Sequence, residues 1–305
     1  MFVNTKSIAT VKLLLFTTLA NYCAATSTAE AQVQPATYQA PASKPLVHFS
    51  QQAARVGDRA KQDVSINLDM RTTVIQSGQV AHQDETAVRR QQQRIIEVVE
   101  VAEGRVRRAQ VSFPHARSQS PENQDPSQFE NQPVQGKSYL VERQGERLLV
   151  TDLQGAIPPQ KEYEIVVASV STLGLPNPLA QFLLQQEIHV GDRFEVPQHL
   201  AEQIMGFGDQ LGQVQRFALE LESLQQIDGQ TCALFAATIE IRGDRGSPLE
   251  VDIQGQVAIQ TATCRTIEAR LTGPLQMRAS EPSYQLSASG GLQVAIRSHY
   301  EGRPQ

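Results

Sequence analysis

Apolar and polar residues alternate along much of the chain, most clearly in its C-terminal third. Phe217, Leu219 and Leu221 alternate with polar or small neighbours, and the same period recurs in four further segments that end near Ile296. A period of two residues is typical of strands that bury one face. This third of the chain therefore predicts an antiparallel sheet, with a first turn at Asp228–Gly229 and a bulge at Gly290–Gly291.

The N-terminal half carries the same period in shorter runs. Val64–Met70 alternates strictly, and a second apolar run at Arg94–Val101 reaches a turn at Gly104 and returns through Phe113. Another hairpin is predicted between Ser138 and Val150. Gly in each turn supplies the backbone conformation that tight hairpins need.

Helices are predicted only in the middle of the chain. Pro158–Pro159 can begin one that ends before Gly174, Asn177 with Pro178 is a typical helix start, and Pro197 begins a third. The predicted fold class is mainly β (α+β), with two similar curved antiparallel sheets or half-barrels and short helices between them.

A four-residue motif occurs twice and indicates a duplicated unit. Val56–Arg59 has the same sequence as Val190–Arg193, and strands and Gly turns follow both copies in the same order. We interpret this as a β-unit of roughly 100 residues present twice. The predicted organisation is a signal peptide (1–31), a flexible leader (32–45), a first β-unit (46–156), a helical connection that includes the start of the second unit (157–207), and a second β-unit (208–300).

The first 31 residues have the pattern of a secretory signal. Lys6 and Lys12 precede a short apolar run, and an A-x-A pattern ends at Ala31, so cleavage is predicted between Ala31 and Gln32. A buried helix is the alternative interpretation. Cys23 could instead carry a lipid anchor, but Tyr22 stands where lipoproteins have a small residue. We expect a periplasmic or secreted protein with no transmembrane span in the mature chain.

Together these features resemble a family. The signal, the Val-Gly-Asp-Arg motif, the hairpin between Glu97 and Arg105 and the run Val150–Gly155 resemble exported, internally duplicated β-proteins of planctomycete-type bacteria. The architecture is similar to the open half-barrels of lipoprotein carriers of the LolA and LppX type. That resemblance implies a lipid held between a curved sheet and helices.

Cleavage at Ala31 would leave two cysteines, Cys232 and Cys264. Two cysteines in an oxidising compartment are expected to pair, and the predicted hairpin brings these two positions to the same end. The prediction is a disulfide, with two separate buried thiols as the alternative.

Charge and composition narrow the classes of function. A formal net charge of −5 disfavours a nucleic-acid partner. Basic residues concentrate on the first hairpin, where they could meet an anionic partner or simply cover a solvated sheet face: Arg89, Arg90, Arg94, Arg105, Arg107 and Arg108.

The six histidines have no metal-ligand spacing, and no nucleophile motif is present. We therefore expect no cofactor and no metal, and a non-catalytic binding module for a lipid-like ligand or an envelope partner. Alternatives are an envelope-assembly scaffold that binds no small ligand and, last, a hydrolase whose site is assembled from distant residues.

Overall fold

The structure, a computed structural model, describes residues 44–119, 129–205, 213–243, 249–281 and 284–301. It is mainly β, as predicted. The strands are β1 Leu46–Val47, β2 Arg59–Gln76, β3 Gln79–Ala102, β4 Arg105–Gln119, β5 Glu130–Asn131, β6 Ser138–Gln144, β7 Arg147–Asp152, β8 Ile188–His189, β9 Arg193–Glu195, β10 Gln213–Ile227, β11 Gln230–Arg242, β12 Leu249–Gln260, β13 Thr266–Glu281 and β14 Tyr284–Glu301. The helices are α1 Gln160–Ser169, α2 Pro178–Leu183 and α3 Gln198–Met205.

Twelve of the strands form one antiparallel sheet. Its order is β7-β6-β4-β3-β2-β14-β13-β12-β11-β10-β9, and β5 pairs with the C-terminal end of β4. The strands β1 and β8 form a separate two-stranded sheet. The two predicted β-units are therefore halves of one continuous sheet, with short helices between them along the chain.

The two halves join where β2 pairs with β14. Their register runs from Arg59 opposite Glu301 to Ile75 opposite Gln285 without a shift. The bulge predicted at Gly290–Gly291 is therefore wrong. Gly290 serves a different purpose, since a Cβ placed there would lie 1.9 Å from the backbone oxygen of Asp69 on β2. The neighbouring backbone leaves no room for a side chain at this position.

Residues 79–93 extend β3 well beyond the strand that the apolar pattern predicts. A turn at Ser77–Gly78 connects β2 to β3, and both residues have positive φ. Most residues at the start of β3 are exposed on both faces, so this stretch has no apolar period. Pairing with β2, rather than burial of its own side chains, makes it a strand.

The two copies of the Val-Gly-Asp-Arg motif form the same turn. Gly57 and Gly191 have φ of 90° and 88°, which glycine adopts without strain. Each glycine N–H donates to a strand carbonyl, that of Val98 in the first copy and of Leu221 in the second, at 2.8 and 2.6 Å. The repeated sequence therefore has a repeated structure, which leads into β2 in one half and β9 in the other.

The helices begin where the sequence predicts. Pro159 directly precedes α1, and the side chain of Asn177 accepts a hydrogen bond from the N–H of Ala180 at 3.1 Å to cap α2. Among the helices that the structure describes, none has the length and apolar character needed to cross a membrane.

Two apolar clusters lie on the same face of the sheet. The C-terminal cluster combines β10–β14 with Val64, Ile66 and Leu68 of β2, under α2 and α3. The N-terminal cluster combines β3, β4, β6 and β7 with Val166 and Val170 of the α1 region. The opposite face of the central strands is polar, as alternation requires.

Polar contacts fix α1 to the N-terminal half. Glu162 is buried, and its two carboxylate oxygens accept hydrogen bonds from Lys137 at 2.7 Å and Tyr139 at 2.6 Å. Burial alone would raise the pKa of Glu162, but the hydrogen bonds from Lys137 and Tyr139 outweigh it and the pKa is lowered. The pKa of Tyr139 is raised, first by burial and then by its bond to Glu162.

We expect Glu162→Ala to lower the free energy of unfolding by about 2 kcal/mol, because it removes two charge-assisted hydrogen bonds at a buried position. The matched control is Glu164→Ala, which removes an exposed glutamate of the same helix and should cost less than about 0.5 kcal/mol. Urea unfolding at pH 7 measures both.

The difference in the free energy of unfolding between the wild type and Glu162→Ala should depend on pH. The folded-state pKa of Glu162 is lowered, so its contribution is complete above the ordinary pKa of glutamate and is lost as the pH falls through the lower, folded-state value. The difference between wild type and Glu162→Ala should therefore shrink at acid pH. A difference that is constant from pH 7 to pH 3 would show that the carboxylate does not hold α1.

Candidate binding groove on the open face of the sheet

A groove crosses five adjacent strands on the polar face of the sheet. It has a volume of about 540 Å³ and spans both sides of the β2–β14 junction. The side chains that line it belong to β4, β3, β2, β14 and β13: His115, Arg117, Gln91, Gln93, Asp63, Ser65, Ala295, Arg297, Glu268 and Arg270.

Strand register arranges these side chains in two parallel rows. The first row contains, in strand order, His115, Gln93, Asp63, Arg297 and Glu268, each directly opposite the next. The second row contains Arg117, Gln91, Ser65, Ala295 and Arg270. Adjacent rows are two residues apart along each strand, so both project from the same face.

Small side chains at the centre of the second row open the groove. Ser65 and Ala295 stand opposite each other at the β2–β14 junction, with Arg117 and Arg270 at the ends of the row. Four strand-to-strand steps separate the two arginines, so their Cα atoms are roughly 19 Å apart across the sheet. The row thus combines a shallow centre with a guanidinium at each end.

Hydrogen bonds and ion pairs already engage most of the charged side chains in the groove. Gln93 Nε2 donates to Asp63 Oδ1 at 2.7 Å, and Arg270 Nε is 2.6 Å from Glu268 Oε1. Arg297 reaches out of the groove to Asp228 at 3.4 Å. The side chain of Arg117 has neither a hydrogen bond nor an ion pair with any residue in the described ranges. Asp63 and Glu268 face three guanidiniums within the groove, and Asp228 pairs with Arg297 from outside it, so the side-chain donors of Arg117 are the ones left for an anionic group.

None of the groove residues stands out in the sequence. Apart from Ala295, each is an ordinary polar residue on the solvent side of a strand, and the two rows draw on segments more than 200 residues apart. The alternation could have assigned each residue to the polar face. Only the register shows which of them are neighbours.

The structure separates the six arginines that the sequence placed in one patch. Arg94 is fully buried and Arg90 is partly buried, because even-numbered positions of this part of β3 face the apolar clusters. Arg89 pairs with Asp69, while Arg107 and Arg108 pair with Glu100 and Glu142, and Arg105 is exposed. The expectation of a single anionic-partner patch at Arg89, Arg90, Arg94, Arg105, Arg107 and Arg108 is therefore corrected.

Ion pairing also shifts the pKa values at the exposed end of this hairpin. Arg108 Nε donates to Glu142 Oε2 at 3.1 Å. Its hydrogen bond to Glu142 raises the pKa of Arg108, and the same bond lowers the pKa of Glu142. These charges compensate each other and leave little capacity for an external anion.

Arg94 lies in a buried polar seam between the two apolar clusters. We define this polar seam by its buried members, Gln62, Gln92, Arg94, Ser169 and Ser298. Arg94 Nε donates to Gln62 Oε1 at 2.6 Å, Gln62 contacts Ser298 at 3.4 Å, and Ser169 Oγ donates to Gln92 at 3.2 Å. Arg94 also donates to the backbone oxygen of Ser169, at the last residue of α1.

The disulfide predicted between Cys232 and Cys264 is not formed in the structure. Both residues are buried free thiols. Cys232 stands opposite Gln260 in β12, and Cys264 follows four residues later, in the turn before β13, with φ of 53°. A disulfide needs Cβ atoms within about 4.5 Å that point toward each other. The hairpin brings the two segments together, but its register places Gln260, and not Cys264, across from Cys232.

The predicted signal cleavage between Ala31 and Gln32 and the alternative lipid anchor at Cys23 lie outside the described residues. Within the described ranges, no group of three or more His, Cys, Asp or Glu side chains could hold a metal ion.

Comparison with known proteins adds little evidence about the fold or the function of this chain. No family model matches the chain, and no curated protein matches it. Among solved structures, the chain is similar to lipovitellin in a structure of its lipid–protein interactions, with 7% sequence identity and a TM-score of 0.39. The match covers 82% of this chain but 26% of the lipovitellin chain. A likeness this low carries no argument about fold or function.

The thiols provide a direct test of the cysteine assignment. Burial raises the pKa of Cys264 to about 12, and burial with the charge of Asp228 raises that of Cys232. We expect neither to react with iodoacetamide in the native protein at pH 8, because the thiolate is the reactive form. Both should be labelled in denaturant without reductant, as read by peptide mass spectrometry. Labelling only after reduction would show a disulfide instead.

Proposed function

We propose that this protein is an exported, non-catalytic binding module that holds an anionic amphiphile by its headgroup in the groove. The observation that carries the proposal is the second row of the groove, in which small central residues lie between two guanidiniums. Anionic oxygens are the preferred acceptors for arginine, which can bind them through two parallel hydrogen bonds.

The space between the sheet and its helices is less suitable for a lipid. On the C-terminal half it is occupied by aromatic rings in mutual contact. The ring centroids of Phe182 and Phe194 are 5.3 Å apart, those of Phe194 and Phe235 are 5.9 Å apart, and Phe49 stacks on Phe235 at 6.2 Å. We therefore assign the headgroup to the open polar face and not to the layer under α2 and α3.

The geometry favours an extended polar headgroup or several headgroups side by side. Arg117 and Arg270 are too far apart to bind one phosphate, and Arg297 lies in the neighbouring row between them. A surface that presents several anionic groups at once, such as a membrane leaflet, would engage all three.

The test is sedimentation with vesicles of phosphatidylglycerol and phosphatidylcholine. We expect the wild-type protein to bind the anionic vesicles more tightly than vesicles of phosphatidylcholine alone. The double variant Arg117→Gln/Arg270→Gln should lose about 2 kcal/mol of binding free energy, or roughly 30-fold in affinity, since each arginine near an anionic surface contributes about 1 kcal/mol.

The matched control is Arg105→Gln/Arg193→Gln, which removes two exposed arginines that do not line the groove. It should bind like the wild type. Equal losses in both double variants would mean that only net charge matters and would contradict the groove assignment. Absence of binding to either vesicle would favour an envelope partner protein or an assembly scaffold.

Export is part of the same proposal and has its own test. When the full chain is expressed in a bacterium, we expect a periplasmic product whose intact mass begins at Gln32, because the A-x-A pattern before it suits signal peptidase. A product that begins at an acylated Cys23 would show a membrane anchor, and an uncleaved cytoplasmic product would contradict export.

A further inference from the structure

Arg90 contains a buried donor without an acceptor. Its side chain projects from β3 on the face of the apolar clusters, at a position flanked by Ile66 of β2 and Ser118 of β4. The side chain is partly buried as a whole, but its Nη2 atom is out of contact with solvent. No atom of the described residues accepts a hydrogen bond from it.

Such an arrangement is costly for a cation. A buried polar group without a partner costs free energy, and a charged one costs more, because the water that solvated it has been removed. Burial accordingly lowers the pKa of Arg90. A guanidinium stays protonated at physiological pH even so, so the site has to accommodate a positive charge.

A second buried guanidinium increases the positive potential. Arg94 is on the same face of β3, four residues further along, and donates to the neutral oxygens of Gln62 and Ser169. Its pKa is lowered to about 9, first by burial and then by the positive charge of Arg90. The two side chains therefore interact unfavourably in a region of low dielectric constant, where the repulsion is weakly screened.

We propose that an oxyanion, a phosphate or carboxylate group, binds beside Arg90 on the face of the sheet that carries the apolar clusters and accepts a hydrogen bond from Nη2. An anion would accept a hydrogen bond from Arg90 Nη2 and would also offset the repulsion between Arg90 and Arg94. A water molecule would accept the hydrogen bond but would not offset the repulsion. The site lies on the opposite face of the sheet from the groove, since Arg90 and Arg94 occupy even positions of β3 and Gln91 and Gln93 of the groove occupy odd ones. The proposal is therefore independent of vesicle binding.

Thermal unfolding with inorganic phosphate tests the proposal. Phosphate is titrated against bulky gluconate at constant ionic strength, for the wild type and for Arg90→Met. We expect the wild-type Tm to rise with the logarithm of the phosphate concentration above the Kd, by about 5 °C at roughly 100 times the Kd. Arg90→Met should lack this logarithmic rise. In gluconate alone it should be at least as stable as the wild type, because replacing an uncompensated buried charge by an apolar side chain removes the cost.

Arg105→Met is the matched control, because it removes an exposed arginine of the same hairpin. It should keep the full phosphate response. A wild type whose Tm does not respond to phosphate or to the amphiphile below, or an equal response in Arg90→Met, would overturn the proposal. Arg90→Lys, which keeps the charge, should retain part of the response and guards against misfolding of the methionine variant.

Hexyl phosphate distinguishes a free anion from the headgroup of a bound amphiphile. If the site takes a free anion, inorganic phosphate alone should stabilise the wild type. If the oxyanion is a headgroup, hexyl phosphate should act at concentrations at which inorganic phosphate has no effect. In either case the response must be absent from Arg90→Met.

Discussion

The structure depends on the pairing of β2 with β14, which are the first and the last strand of the large sheet along the chain. Without it each half would expose a long unpaired edge, and Val64, Ile66 and Leu68 of β2 would lose the C-terminal cluster in which they pack. The halves are therefore not independent bodies, because the second half's core includes side chains from the first. The groove crosses this junction on the polar face, and the polar seam lies next to it on the other face.

The two halves hold their helices by different means. In the C-terminal half, aromatic rings from the sheet and from the segments around α2 pack together, which is a non-directional contact. In the N-terminal half, α1 is held at its start by the carboxylate of Glu162 and at its end by the guanidinium of Arg94, with valines between. Directional polar contacts fix the position of a helix whose apolar side chains are small. They also bring charge into the protein interior, and the unpartnered donor of Arg90 lies close to that charge in β3.

A single-layer sheet with helices on one face gives neighbouring residues of a strand different surroundings. Arg89 and Arg90 are adjacent in sequence, yet one pairs with exposed Asp69 and the other points into the interior. A count of arginines along the hairpin therefore says little about surface charge. The groove illustrates the converse, since Arg117, Arg270 and Arg297 are far apart in sequence and line one groove.

The sequence by itself determined the mainly β class, the helix starts at Pro159 and Asn177, and the shared turn of the two Val-Gly-Asp-Arg copies. These features depend on the backbone preferences of a few consecutive residues and on the period of burial, both of which are local. Only the tertiary structure decided that the two units form one sheet, that the polar stretch 79–93 is a strand, that Cys232 faces Gln260, and which polar residues line the groove. Each of these depends on strand pairing, either across a hairpin or between distant segments. Register depends on turn geometry and on which apolar faces are buried together, and the rest of the fold decides that burial.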